Sequence, residues 1–315
     1  SSHGWGHNVR TTALLNELYD YPLEIVTTAP DWLITSSLHN KRKKPLTIRT
    51  LLTDPGAIQH DPFNIDIDKS IEAWEKIFNN LDTVLKEEVE LLKSKGQVKL
   101  ILSDISFFGQ LVAEQLHVPS VCVATFDWAF IYRDFYQSHP AIENLINKVQ
   151  EISARFDYCL IPGTMCRPLS IGQKQIEFNW GSRKPTIFRT EIRKKLGLSI
   201  FMDAILLSFG GFQLRQLPPK AWERFKQYEF FVLLPKKDCV NEPAPNVHFL
   251  PSEEWSGMHV DLVDSVDVVF GKVGYGLCSE VLHCKKPFLS VHRDGNREET
   301  TIKKQLVRAI PFREI

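Results

Sequence analysis

The sequence lacks several features that would assign it to a common class of protein. Its 315 residues carry 38 basic and 38 acidic side chains, so the formal net charge is zero. Proteins that bind nucleic acids are usually basic, and this balance disfavours that class. No run of 18 or more apolar residues occurs. We therefore expect no membrane span, while peripheral contact with a membrane stays open.

Cysteine is sparse as well. The six cysteines include no CxxC pair and no cluster with the spacing of metal ligands. This usage is typical of a reduced, cytosolic protein, not of a disulfide-stabilised or zinc-binding one. We therefore expect a cytoplasmic location and no metal site.

Segments with strand and helix patterns alternate along the whole chain, which predicts an α/β protein with mostly parallel sheets. The clearest helix is predicted over residues 69–95, where apolar residues recur every three or four positions. Between about residues 162 and 185 the periodicity fails among prolines and glycines, which we interpret as a linker. The sequence thus predicts two domains, residues 1–181 and 182–315. Because the chain begins on a glycine-rich segment with no strand before it, we expect a piece of a longer protein.

The strongest chemical pattern lies in the second half. A predicted strand at residues 266–270 leads into the run Gly-Lys-Val-Gly-Tyr-Gly, residues 271–276, and then into a helix that carries Glu280. Glycines let the backbone approach an anion, and the free N–H groups at a helix start point toward it. Lys272 adds a positive charge for a pyrophosphate, and Glu280 is placed to accept hydrogen bonds from a ribose diol. The alternative is a glycine turn that only packs a helix on a sheet, with Glu280 in solvent.

The first half supplies candidates for proton transfer. His7 lies in a predicted loop, residues 3–8, whose glycines suit a phosphate; the alternative is a structural or surface histidine. Asp104 ends a predicted strand, and open α/β sheets place ligand groups at this edge. The alternative for Asp104 is a cap on the helix that follows. Gln59 and Asp127 are candidates for lining an acceptor site, although turn chemistry explains the Asp-Pro-Gly before Gln59 equally well.

Residues 264–299 resemble the donor-binding segment of GT-B glycosyltransferases of families 1 and 28. There, a strand, a glycine loop, a helix with a ribose-binding glutamate and a proline-led strand come in this order. Glu280 and Pro287 have the spacing of the family, and Lys272 stands where plant-type members place a phosphate-contacting histidine. The pattern is most similar to a group of predicted glycosyltransferases related to the N-terminal part of plant L-arabinokinase.

The resemblance implies a GT-B fold, in which two Rossmann-like domains with mostly parallel sheets face each other across a cleft. It also implies that His7 is the general base and that Asp104 orients it. The residues that it places at the donor are Gly210, Gly211, Leu250, Lys272, Gly274, Tyr275, Gly276, Glu280, Arg293 and Glu298.

The implied reaction is transfer of a sugar from a nucleotide diphosphate, with UDP expected, to an acceptor hydroxyl or amine. Inversion is expected if His7 is the base. No acidic metal motif lies in a convincing place, so Lys272 and the helix start are expected to replace a metal ion, and no cofactor is expected. Family 1 members follow the proline with an acidic residue and a glutamine that this chain lacks, which leaves the donor sugar and the acceptor open. Two alternatives remain: a non-catalytic module that binds nucleotide sugars, and a nucleotide-sugar epimerase on the same scaffold.

Overall fold

The computed structural model describes residues 4–38, 42–59, 64–163, 166, 170–209, 222, 224–240, 242, 244–292 and 297–315. Its α-helices are α1 (Gly4–Glu17), α2 (Asp31–Thr35), α3 (Ile67–Asn79), α4 (Leu81–Lys95), α5 (Phe108–Leu116), α6 (Trp128–Tyr132), α7 (Pro140–Ser153), α8 (Arg189–Lys195), α9 (Ser252–Trp255), α10 (His259–Ser265), α11 (Tyr275–Cys284) and α12 (Arg297–Ala309). Its strands are β1 (Leu23–Val26), β2 (Leu46–Arg49), β3 (Ile101–Asp104), β4 (Ser120–Val123), β5 (Tyr158–Pro162), β6 (Lys174–Phe178), β7 (Asp203–Ser208), β8 (Tyr228–Leu234), β9 (Val247–Pro251), β10 (Val268–Gly271), β11 (Phe288–Ser290) and β12 (Phe312–Glu314).

The strands after residue 200 form one parallel sheet in the order β12-β11-β10-β7-β8-β9. When these six strands are numbered 1 to 6 along the chain, they lie in the sheet as 6-5-4-1-2-3. This is the doubly wound arrangement, whose ligand crevice lies where the strand order reverses, between β7 and β10. Ser208 and Gly271 are paired residues at the carboxyl ends of these two strands. A Cβ atom on Gly271 would lie 2.3 Å from the Ser208 carbonyl oxygen, so only glycine allows this close approach.

The first half contains a parallel sheet in the order β3-β4-β5-β6 and a separate parallel pair, β1-β2. Asp104 is the last residue of β3 and pairs with Val123 of β4. Trp74, Phe107 and Trp128 are almost fully buried in the core beside this sheet. That core fixes the carboxyl edge at which Asp104 lies.

Helix α1 connects the two halves by packing against α11. A Cβ atom on Gly6 would lie 3.7 Å from the Gly276 backbone nitrogen, so the two helices are in close contact near their first turns. The predicted domain boundary at residue 181 falls in the segment that joins β6 to α8.

The structure corrects three expectations from the sequence. The helix predicted over residues 69–95 is two helices, α3 and α4, separated at Asn80, whose side-chain amide donates to the Lys76 carbonyl at 2.8 Å. The segment interpreted as a linker contains the edge strand β6, whose residues are all exposed. His7 lies within α1, which begins at Gly4, instead of in a loop.

Among the described residues, no helix combines the length and the apolar character that crossing a membrane requires.

Candidate active site

An open cavity of about 500 Å³ is lined by residues from both halves of the chain. Its walls include Ser208 at the end of β7 and Lys272 directly after β10, where the doubly wound sheet reverses its order. The sequence-predicted residues that line it are His7, Gln59, Lys272, Gly274, Tyr275, Gly276, Glu280 and Glu298. The structure therefore brings candidates from sequence positions more than 260 residues apart to one space.

His7 and Asp104 are in direct contact beside this cavity. The His7 Nδ1 atom lies 2.7 Å from Asp104 Oδ1, and both side chains are nearly buried. An ionised carboxylate can only accept a hydrogen bond, so Nδ1 carries the hydrogen and Nε2 carries the lone pair of the ring. The Phe126 ring packs edge-on against the imidazole at 5.9 Å and limits its rotation. This arrangement suits a histidine that accepts a proton.

Two further side chains of α1 hold the same carboxylate. Arg10 donates through Nη2 to Oδ1 and through Nε to Oδ2 at 3.3 Å, and the Thr11 hydroxyl donates to Oδ2 at 2.8 Å. Burial by itself would raise the pKa of Asp104, but the charge of Arg10 and the contact with His7 outweigh it and hold that pKa well below its usual range. Asp104 is therefore an anion shared between His7 and Arg10.

The alternative role of Asp104 as a helix cap is wrong. Helix α5 begins after Phe107, and no side chain caps it. The Asp104 carboxylate is directed to α1 instead, and only its backbone carbonyl accepts from the Ser106 N–H.

The glycine segment leads directly into α11. Gly274 precedes the first residue of this helix, and a Cβ atom placed on it would meet nothing within 4 Å. The space beside Gly274 is therefore open, as an anion at a helix start requires. Tyr275 stacks on Trp180 with ring centroids 4.7 Å apart and accepts from the Gly181 N–H at 3.0 Å. Burial raises the pKa of Tyr275 to about 12, so it keeps its hydroxyl hydrogen.

Glu280 does not lie in solvent. Its side chain is fully buried and forms an ion pair with Arg183, whose Nη2 atom lies 2.6 Å from Oε1. His259 Nδ1 contacts the other oxygen, Oε2, at 2.5 Å. Burial alone would raise the pKa of Glu280, but Arg183 and His259 outweigh it and lower that pKa. The expectation that Glu280 accepts from a ribose stays a prediction.

The remaining donor-site candidates differ in their placement. Gly210, Gly211 and Arg293 lie outside the described residues. Leu250 is buried in the core of the second half and is absent from the cavity wall, so contact with a base would need its backbone. Glu298, in the first turn of α12, lines the cavity.

Arg10, Arg183 and His259 are not among the residues predicted from the sequence. A signal existed for Arg10, because residues three apart on a helix share a face, and His7 and Arg10 have this spacing. Arg183 lies in the segment between β6 and α8 and meets Glu280 from 97 residues away, and no local pattern predicts that contact.

Two acidic residues of the first half have local roles. Asp127 caps α6 by accepting from the Phe130 N–H at 2.7 Å and does not line the cavity, so its predicted place at an acceptor site is wrong. Asp54 accepts from the Gly56 N–H at 2.7 Å, as turn chemistry predicts, and from Trp128 Nε1 at 2.9 Å. Asp54 and Gln59 line the cavity.

In the described parts of the chain, one group of potential metal ligands is formed by His292, Glu299 and Glu314. None of the three lines the cavity. Lys303 Nζ lies 3.0 Å from Glu299 Oε2 and also contacts Glu314, so one ammonium group already pairs with both carboxylates.

Comparison with known proteins gives relatives of two kinds. No family model matches the chain. The L-arabinokinase of Arabidopsis thaliana is 29% identical over 316 residues, covering 97% of this chain. The chain spans only 29% of the length of that relative, so the activity of the whole kinase does not transfer to it.

Solved structures of glycosyltransferases match nearly the whole chain. UGT2 of Phytolacca americana, solved with UDP-2-fluoro-glucose and pterostilbene, is 13% identical, with a TM-score of 0.58 over 99% of this chain and 83% of that one. A Polygonum tinctorium UDP-glucosyltransferase capable of glucosylating indoxyl, solved with 3,4-dichloroaniline, is 12% identical, with a TM-score of 0.62 over 99% and 83%. Together with the parallel sheets, these matches confirm the predicted fold class: the chain has the GT-B fold.

Proposed function

We propose that the chain is a glycosyltransferase that moves a sugar from a nucleotide diphosphate, with UDP as the expected nucleotide, to an acceptor hydroxyl or amine. The observation that carries this proposal is the convergence of two chemical groups on one cavity. His7, oriented by Asp104, supplies a base, and the segment from Lys272 to Gly276 supplies an anion site at a helix start. The UDP-sugar complexes of structures with the same fold support it.

In the proposed reaction, His7 Nε2 takes the proton from the acceptor as the acceptor atom forms a bond to the anomeric carbon of the donor. The bond from that carbon to the diphosphate oxygen breaks, and its electron pair leaves with the diphosphate. Asp104 stabilises the imidazolium that forms. Attack from the face opposite the leaving group inverts the anomeric centre.

The leaving diphosphate needs positive charge. Lys272 and the N–H groups at the start of α11 offer it, because both face the cavity. These groups take the place that a metal ion would otherwise occupy, so we propose that transfer does not depend on a metal. The absence of disulfides among the six cysteines fits a cytoplasmic location, which remains part of the proposal.

The test is a panel of UDP-sugars and small acceptors, with turnover and binding measured in parallel. Release of UDP together with a glycosylated acceptor supports the proposal. UDP-sugar binding without UDP release would identify a non-catalytic binding module instead. Conversion of the UDP-sugar to its epimer, with the diphosphate bond intact, would identify an epimerase. The His7→Ala variant is the matched control for background hydrolysis.

A further inference from the structure

The carboxylate of Asp104 accepts about as many hydrogen bonds as a carboxylate has lone pairs. Its Oδ1 atom accepts from His7 Nδ1 at 2.7 Å and from Arg10 Nη2, and its Oδ2 atom accepts from Arg10 Nε at 3.3 Å and from the Thr11 hydroxyl at 2.8 Å. A carboxylate offers about four lone-pair positions, and these bonds use them. Most of these bonds come from Arg10 and Thr11. These two residues therefore set the plane of the carboxylate and keep Oδ1 directed at His7.

The charge of Arg10 decides the hydrogen-bonding role of Asp104. Burial raises the pKa of this carboxyl, and the guanidinium and His7 together lower it by more than burial raises it. An ionised carboxylate can only accept a hydrogen bond, whereas a protonated one could donate to Nδ1. In that second case the hydrogen of the neutral imidazole would lie on Nε2, which could then accept no proton. Arg10 therefore preserves the tautomer that a base requires.

Arg10 is itself held by groups from both halves of the chain. Its Nη1 atom donates to the Thr125 hydroxyl at 3.1 Å, and the residue is only 3% exposed. From the second half, the ring centroid of Tyr275 lies 5.5 Å from the guanidinium carbon. A cation over an aromatic face is attracted by the ring, and more strongly where water is excluded. The position of Arg10 therefore depends on the second half as well as on the first.

The Tyr275 side chain has little freedom to adjust. Its ring stacks on Trp180 with centroids 4.7 Å apart, its hydroxyl accepts from the Gly181 N–H at 3.0 Å, and the residue is buried. Tyr275 is also the first residue of α11, the helix whose start is the proposed anion site. A fixed ring at this point ties Arg10 to the helix that would hold the donor.

We propose that Arg10 is the positioning residue of the base: it orients the Asp104 carboxylate toward His7, and the ring of Tyr275 holds Arg10 in line with α11. The inference rests on the proposed function, because His7 acts as a base only if the chain transfers a group to an acceptor. During transfer no covalent bond to Arg10 forms or breaks. His7 Nε2 takes the acceptor proton, while Nδ1 keeps its hydrogen and its bond to Asp104.

The kinetics of Arg10→Lys test this role, since lysine keeps the positive charge but loses the planar fork that binds both carboxylate oxygens. We expect kcat for sugar transfer to fall by about 10–10²-fold, because a misplacement of about 1 Å costs on the order of 10²-fold. The affinity for UDP should stay near that of the unsubstituted protein. Arg10 also lines the cavity, so direct contact with the diphosphate is the alternative. In that case UDP binds more weakly and kcat at saturating donor changes little, which overturns the proposal.

Proton NMR of the substrate-free protein separates positioning from a loss of stability. An imidazole N–H bonded to a carboxylate gives a downfield resonance, and the one that is absent from the spectrum of His7→Ala belongs to His7. We expect Arg10→Lys to shift or broaden this resonance. The resonance of His259, which is bonded to Glu280, should stay unchanged and shows that the variant is folded. An unchanged His7 resonance in the folded variant contradicts the proposal.

Two variants of Tyr275 give an independent measurement should Arg10→Lys not fold. Tyr275→Leu removes the ring and should lower kcat and disturb the His7 resonance. Tyr275→Phe keeps the ring beside Arg10 and removes only the hydroxyl, so it should recover most of the rate and most of the resonance. If Tyr275→Phe loses as much as Tyr275→Leu, the ring does not position the base and the proposal is overturned.

Failure of this proposal and failure of the proposed function are distinguishable. A protein that transfers sugar, and whose Arg10→Lys and Tyr275→Leu variants match it in kcat and in the His7 resonance, overturns the proposal alone. A protein that releases UDP from none of the UDP-sugars tested overturns both.

Discussion

The guanidinium of Arg10 lies over the ring of Tyr275, 5.5 Å from its centroid. This contact joins the helix that carries His7 to the first residue of the helix behind the glycine segment. Arg10 also donates to Asp104 and, through Nη1, to the Thr125 hydroxyl at 3.1 Å. One buried cation thus links the proposed base in the first half to the proposed anion site in the second.

Arg10→Met should lower the free energy of unfolding by about 3–5 kcal/mol, because it leaves the buried Asp104 carboxylate without its cation. Adding Asp104→Asn in the same chain should recover part of this loss, since the amide needs no cation. Urea unfolding of the two single variants and the double variant measures the coupling. If the losses of unfolding free energy in the two single variants add up in the double variant, this would contradict the ion pair between Arg10 and Asp104.

His7→Ala should lower sugar transfer by about 10²–10⁴-fold, the usual contribution of a general base. Its affinity for UDP should stay near that of the unsubstituted protein, because the anion site belongs to other residues. Asp104→Asn should also slow transfer, and the double variant should be little slower than His7→Ala, since groups that act as a unit are not additive. Unchanged turnover in His7→Ala would disprove its role as the base.

Lys272→Met should weaken binding of UDP much more than binding of uridine, because only the diphosphate carries the charge that the ammonium meets. Calorimetry with both ligands measures the difference. Lys304→Met, which removes an exposed lysine of α12, is the matched control and should change neither affinity. Equal losses for UDP and uridine in Lys272→Met would mean that the lysine supports the fold instead.

Two glycines of the same segment should respond differently to alanine. Gly271→Ala places a Cβ atom 2.3 Å from the Ser208 carbonyl and should strongly lower the thermal unfolding temperature. Gly274→Ala meets nothing within 4 Å, and its φ of −149° suits any residue, so its unfolding temperature should be unchanged. Its added methyl group lies where we expect the diphosphate, and UDP should bind more weakly. Equal stability of the two variants would argue against the close approach of β7 and β10.

The lowered pKa of Asp104 makes part of the stability depend on pH. The native state binds a proton there less readily than the unfolded chain, whose ordinary value is 3.8. The stability that ionised Asp104 contributes is therefore complete above about pH 4 and is lost as the pH falls further. The difference in unfolding free energy between the unsubstituted protein and Asp104→Asn should be constant near neutral pH and shrink below about pH 4. A difference that does not change in acid would contradict an ionised, paired Asp104.

The sequence alone determined the elements whose signal is local. Strands β7 and β8 have a local signal, because a parallel strand covered on both faces is a continuous apolar run. A glycine loop that leads into a helix is predicted over residues 271–276, because the spaced glycines and the start of the helix are adjacent in the sequence. The contact of His7 with Asp104 could be expected because parallel strands and helix starts meet at one edge of a sheet, although the catalytic role of the pair stays a prediction.

Tertiary structure decided what depends on distant partners. Periodicity does not reveal the break at Asn80, whose side-chain amide donates to the Lys76 carbonyl, and β6 is an edge strand whose residues are all exposed. Glu280 has a sequence position suited to a ribose, and the fold pairs its buried carboxylate with Arg183 and His259. Such a pair depends on burial and on charges brought together by the fold, and neither is encoded in the residues next to Glu280.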